Sequence, residues 1–113
     1  MTVMQTFTGR LFDPFNPDPA LIDLRDIAHA LGNICRFGGH SRRYYSVAEH
    51  SILVASLVPE PLRLPALLHD AAEAYLGDII TPIKRWTTIY VEAHNASPHC
   101  WRDDNCISEF ECV

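Results

Sequence analysis

The stretch Leu67-Leu68-His69-Asp70-Ala71-Ala72-Glu73-Ala74-Tyr75-Leu76-Gly77-Asp78 sets an imidazole beside a carboxylate and adds a second carboxylate within one helical turn. Held together, such groups bind a divalent metal or move protons. At about 100° per residue, Leu64, Leu67, Leu68, Ala71 and Tyr75 share one face of a helix, and Glu73 falls opposite them, between His69 and Asp70. An amphipathic helix with a solvated polar side would carry the same residues. Leu62 and Ala66 lie on that polar side, however, so it reads as partly covered. A covered imidazole with two carboxylates needs compensation, either a divalent cation or paired charges.

The elements that must position this trio can be read around it. Ser46-Val47-Ala48-Glu49 has the form of a capping box and opens a helix running to about Val58. Val47, His50, Val54 and Leu57 recur on one side of that helix, which puts His50 among core-facing residues. A lone core-facing histidine is more often a hydrogen-bonded core residue than a ligand. Pro59, Pro61 and Pro65 mark a short turn and the start of the central helix, which should end near Gly77. An antiparallel pair joined so tightly brings His50 towards His69 and Asp70, making a three-ligand site geometrically reasonable.

Upstream, Thr6-Phe7-Thr8-Gly9-Arg10-Leu11-Phe12 alternates around a glycine and suggests a short β-hairpin. A first helix should be capped by Asp23, bury Leu24, Ile27, Ala28 and Leu31, and stop at Gly32, with His29 an incidental polar residue. The connection from Asn33 to Tyr45 is too long for a tight turn, and long ordered loops tend to be functional. In it, Arg36 can offer a forked phosphate donor beside the ring of Phe37, and Gly38-Gly39 lets the backbone approach a ligand. An exposed Arg beside a core Phe would read the same way. Thr81-Pro82 suggests a helical turn capped by Thr81, Thr87-Val91 reads as a strand, and residues 94–113 carry no regular period.

With 113 residues, 48% hydrophobic and 20% charged, the chain has the composition of one small globular domain. A net charge of −5 argues against general nucleic-acid or membrane-surface binding, and the short basic run Arg42-Arg43 lacks a supporting stripe. No apolar run approaches bilayer length and the first residues do not resemble a signal peptide, so a cytoplasmic location is expected. Cys35 stands alone, and Cys100, Cys106 and Cys112 form no C-x-x-C pair, which suggests neither a disulfide framework nor a zinc ribbon.

Three segments give the sequence a specific likeness: Asn-Ile-Cys-Arg-Phe-Gly-Gly-His at 33–40, Tyr-Ser-Val-Ala-Glu-His-Ser at 45–51, and Leu-His-Asp-Ala-Ala-Glu-Ala-Tyr with the following Asp78 and Thr-Pro-Ile-Lys, at 68–84. From Thr6 to about Arg85 the chain resembles the HD-domain metal-dependent phosphohydrolases, in particular the small 5′-deoxynucleotidase-like proteins of bacteria, prophages and phages. The resemblance implies an all-α, HD-domain helical bundle, here with a short N-terminal hairpin, over residues 1–85, and a divergent tail over 86–113. It implies that His50, His69 and Asp70 coordinate a divalent cation (Zn, Mn, Co or Mg), that Glu73 transfers protons or orients water, that Arg36 grips a phosphate, and that Phe37 and Asp78 lie near the base and sugar of a deoxynucleotide. His40 would at most touch substrate. Relatives in that family are often homodimers, and a later helix supplies a fourth ligand, a second Asp. After Trp86 only Asp103 and Asp104 are candidates for it, and their surroundings do not match. A catalytically inactive remnant that keeps metal or nucleotide binding is therefore the rival expectation.

Overall fold

A computed structural model describes residues 3–84 of the chain. The expected strand Thr87–Val91, the boundary at 85/86, the rest of the tail and the candidate ligands Asp103 and Asp104 lie outside the described residues. The described part is mostly helical with one small antiparallel hairpin, consistent with the all-α class.

The hairpin pairs β1 (Met4–Gln5) with β2 (Leu11–Phe12), Met4 opposite Phe12 and Gln5 opposite Leu11. Residues 6–10 form its loop, where Gly9 adopts φ +88°, a conformation that costs glycine little. The loop is tied to the bundle by Asp26, a buried carboxylate that accepts hydrogen bonds from the Thr8 amide at 2.7 Å and the Thr8 hydroxyl at 2.9 Å. Hydrogen bonds to a charged acceptor contribute about 1.5–3 kcal/mol each. Asp26→Ala should therefore lower the denaturation midpoint clearly, whereas Asp18→Ala, which caps only an exposed 3₁₀ turn, should barely move it. Equal effects of the two in urea titration would contradict this account.

Helix α1 (Leu24–Asn33) starts as the sequence predicts, with the Asp23 carboxylate accepting from the Arg25 amide. It buries Ile27 and Leu31 but leaves Leu24 and Ala28 exposed, and it continues through Gly32 to Asn33. The buried stripe is shifted because Asp26, held by the hairpin loop, takes a position on the inner side. His29 is exposed, with its ring stacked on Phe7 at 3.8 Å.

Helix α2 (Val47–Leu57) begins at Ser46, whose hydroxyl accepts from the Glu49 amide. Val47 is fully buried, but Leu57 at the far end is exposed. The central helix is not continuous. After a 3₁₀ turn at Glu60–Leu62, α3 (Arg63–Leu68) ends where the chain tightens, and α4 (Glu73–Leu76) begins after four intervening residues. Across the break Ala71 donates to the Leu68 carbonyl and Glu73 to that of Asp70, bonds of the tighter 3₁₀ spacing. This change of phase overturns part of the wheel reading: Leu64 and Leu67 are exposed, whereas Ala71, Ala72, Glu73, Ala74 and Tyr75 are buried consecutively. A last short helix, α5 (Thr81–Lys84), begins at Thr81 itself, one residue earlier than expected.

The core joins β2, α1, α2 and α4: Phe12, Ile27, Leu31, Val47, Ala71, Ala74 and Tyr75, with the Phe12 and Tyr75 rings stacked at 4.2 Å. Helix α1 packs on α2 and α4, and α2 packs on α3, so the α2 face bearing His50 meets the break bearing His69 and Asp70.

Candidate metal centre

The site lies where α2 meets the break between α3 and α4. Adjacent residues of a regular α-helix point about 100° apart, yet the Nε2 atom of His69 lies 3.0 Å from Oδ2 of Asp70. The same oxygen lies 3.4 Å from Nε2 of His50 on α2, and the two imidazoles meet edge to face with centroids 5.3 Å apart. One ligating atom from each of the three residues falls within 4.8 Å of the others. His50 is thus paired with Asp70, an arrangement that fits a hydrogen-bonded histidine as well as a ligand.

The Nδ1 atom of His69 lies 2.6 Å from the Ala66 carbonyl. A carbonyl oxygen can only accept, so Nδ1 carries the hydrogen and Nε2 faces Asp70. Two imidazole nitrogens and a carboxylate turned towards one another require a positive charge among them, either a proton or a metal ion. The donor set suits a divalent cation: two ligands of a tetrahedral ion at about 2.1 Å stand about 3.4 Å apart, close to the spacings here.

Electrostatics follow from the burial. Burial alone would raise the Asp70 pKa, but hydrogen bonds from His50 and His69 outweigh it and hold the carboxyl well below the usual carboxylate range. For His69, burial disfavours the charged form, and the bond to Asp70, its charge and the Ala66 carbonyl outweigh that and raise the pKa. Glu73 is pushed up to about 8, by burial first and then by the charges of Asp70 and Asp78, with Lys84 and Arg36 opposing. Its Oε2 has no hydrogen-bond partner among the described residues, and Oε1 lies 3.9 Å from Nζ of Lys84.

These shifts set a pH dependence. Between pH 4.5 and about 8 the folded chain keeps a proton on Glu73 that the unfolded chain has released, so this contribution is complete below 4.5 and lost as pH rises through 8. His69, with a raised pKa, acts in the same sense above its ordinary value of 6.5. Asp70 acts oppositely, its contribution present above 3.8 and lost as pH falls. Metal-free protein should therefore be most stable near about pH 5 and lose stability towards pH 8.5. Glu73→Gln should flatten that decline, and a denaturation midpoint that rises between those pH values would contradict it.

The segment between α1 and α2 is clamped at both ends, by the Arg36 amide donating to Tyr45 O at 2.8 Å and the Val47 amide to Ile34 O at 2.9 Å. At its turn Phe37, Gly38 and Gly39 have φ of +57°, +61° and +84°. The glycines are thus required by the left-handed turn itself. Phe37 adopts a backbone that L-residues rarely take, of order 1–3 kcal/mol above a relaxed one. Its ring is more than half exposed, lies parallel to that of Tyr45 at 6.3 Å, and has the Arg36 guanidinium 5.1 Å from its centroid. His40, at the end of the turn, is exposed.

Arg36 and Asp78, expected to act on separate parts of a ligand, are joined to each other. Nη1 of Arg36 lies 3.2 Å from Oδ2 of Asp78, and both side chains are largely buried. Nothing in their spacing of 42 residues signals the pair. Lys84 beside Glu73 is a further contact that periodicity does not reveal.

The candidate trio, Glu73 and the Arg36–Asp78 pair form one charged neighbourhood, since Glu73 feels the charges of Asp70, Asp78, Lys84 and Arg36. No protein-family model matches the chain. It is similar to the protein named uncharacterized protein YfdR of Escherichia coli K12, at 48% identity over 87 residues, covering 75% of this chain and 48% of that protein. It is also similar to an uncharacterized protein of Rhodobacter capsulatus, at 46% identity over 86 residues, 68% of this chain and 44% of that one. The chain spans about half the length of these curated relatives. No helix among the described residues is long and apolar enough to cross a membrane.

Proposed function

We propose that this chain carries the core of an HD-type, metal-dependent phosphohydrolase acting on deoxynucleotides. The observation that carries the reading is the convergence of His50 from α2 with His69 and Asp70 from the break after α3, with the buried Glu73 near enough to feel the charge of Asp70. His50, His69 and Asp70 would hold the cation, and the Ala66 carbonyl fixes the His69 tautomer for that task. When bound, a divalent cation supplies Lewis-acid polarisation of phosphoryl oxygen and a more acidic water.

The chain's own residues do the rest. In hydrolysis a water oxygen bonds to phosphorus and the phosphorus–oxygen ester bond breaks. Glu73 takes the proton that water loses and returns one to the leaving oxygen, a task favoured by a pKa near neutrality. Arg36, released in part from Asp78, donates charge-assisted hydrogen bonds to the phosphate. The half-exposed Phe37 ring offers a surface for the base or sugar, and Asp78 accepts from a sugar hydroxyl. A homodimer and a cytoplasmic setting complete the proposal.

The test is metal content measured together with phosphate release from a panel of deoxynucleotides and ribonucleotides in Mn, Co, Mg and Zn. Stoichiometric metal with turnover of deoxynucleotides is expected. Metal without turnover would favour the inactive binding remnant, and neither would sink both readings.

A further inference from the structure

The phosphohydrolase reading gives Glu73 its task but leaves open what aims its carboxylate. The side chain is almost wholly buried, and a carboxylate in that setting turns about its last bond unless something takes one oxygen. Asp70 and Asp78 repel it. Of the two cations whose charges reach it, Arg36 is engaged with Asp78 at 3.2 Å. Lys84 is the other, with Nζ 3.9 Å from Oε1. It reaches Glu73 from α5, an element separate from α4, which carries Glu73.

We infer that Lys84 is a positioning residue of the site: by drawing Oε1 of Glu73 towards α5 it leaves Oε2 as the oxygen that exchanges protons with water and substrate. Three observations support the assignment: the asymmetry between the two oxygens, one facing an ammonium and the other without a partner among the described residues; the burial of Glu73; and the engagement of Arg36 elsewhere. The lysine side chain is about one-third exposed. This inference rests on the phosphohydrolase reading for its catalytic consequence, but not for its geometry.

Lys84→Met removes the charge at similar length, and Lys84→Arg restores it. In Lys84→Met, kcat on the best deoxynucleotide should fall on the order of tenfold to a hundredfold, the effect of a misplaced reacting group, with KM changed less than about twofold. Lys84→Arg should recover most of the loss. Crystal structures of the same variants should show the Glu73 carboxylate turned away from its wild-type orientation in Lys84→Met and retained in Lys84→Arg. A rise in KM at unchanged kcat would make Lys84 a substrate contact and overturn the inference, as would an unmoved Glu73 in Lys84→Met. If the wild-type protein shows no turnover, the functional proposal fails, and the orientation of Glu73 alone decides the inference.

Discussion

Replacing His69 by Ala is expected to abolish stoichiometric divalent-metal binding while leaving the helices in place. The substitution removes one of three converging ligand atoms and leaves only the His50–Asp70 pair at 3.4 Å. The loss should exceed the roughly 10–100-fold in affinity that follows removal of a bond merely supporting a ligand. Structurally the protein forfeits the His69 contacts to Ala66 O and to Asp70 Oδ2, while His50 stays beside that carboxylate and the buried core of Phe12, Ile27, Leu31 and Val47 is untouched. Circular dichroism should therefore be close to wild type. Because the metal-free trio holds a proton, binding in the wild type must release it, so apparent affinity should rise with pH. Calorimetry in buffers of different ionisation enthalpy reads that release directly. Unchanged metal content in His69→Ala would show that the three side chains meet for another reason.

Arg36→Ala should destabilise the fold itself, apart from any effect on ligands. The change leaves Asp78, 7% exposed in its side chain, as a buried carboxylate without its cation. Breaking such a pair typically costs about 3–5 kcal/mol, a large share of the 5–15 kcal/mol that holds a small domain together. Asp78→Ala should be costly in the same way, since it strands the guanidinium. The double variant Arg36→Met, Asp78→Leu should be more stable than either single alanine variant, because no charge is left uncompensated. Urea titration of the wild type, Arg36→Met, Asp78→Leu and the double variant forms a double-mutant cycle, and additive single effects would show the pair to be energetically idle. The expected division of labour, Arg36 for phosphate and Asp78 for the deoxyribose preference, has to be measured at equal folded fraction. On that basis Arg36→Ala should weaken all phosphate-bearing ligands, and Asp78→Ala should blur sugar preference.

Much of this organisation is legible in the chain. Local chemistry determined the helix starts at Asp23 and Ser46, because a side chain capping an amide two or three residues on needs no distant partner. The glycine-centred hairpin and the predominance of helix are likewise local in origin, and His50, His69 and Asp70, singled out in the sequence as candidate ligands, are brought together in the structure. Periodicity misassigned Leu24, Leu57, Leu64 and Leu67, because a wheel assumes an unbroken helix and a partner for every apolar face. Only the tertiary structure decided three things. Packing of α2 against α3 and its tightened end brought His50 to Asp70, and the side-chain conformations adopted there set Nε2 of His69 beside Oδ2 of Asp70. Burial set the charge partners, joining Arg36 to Asp78 and Glu73 to Lys84, because a charge removed from water takes whichever opposite charge the fold brings near. Such pairings depend on where segments far apart in the chain come to rest, and spacing along the sequence does not encode them.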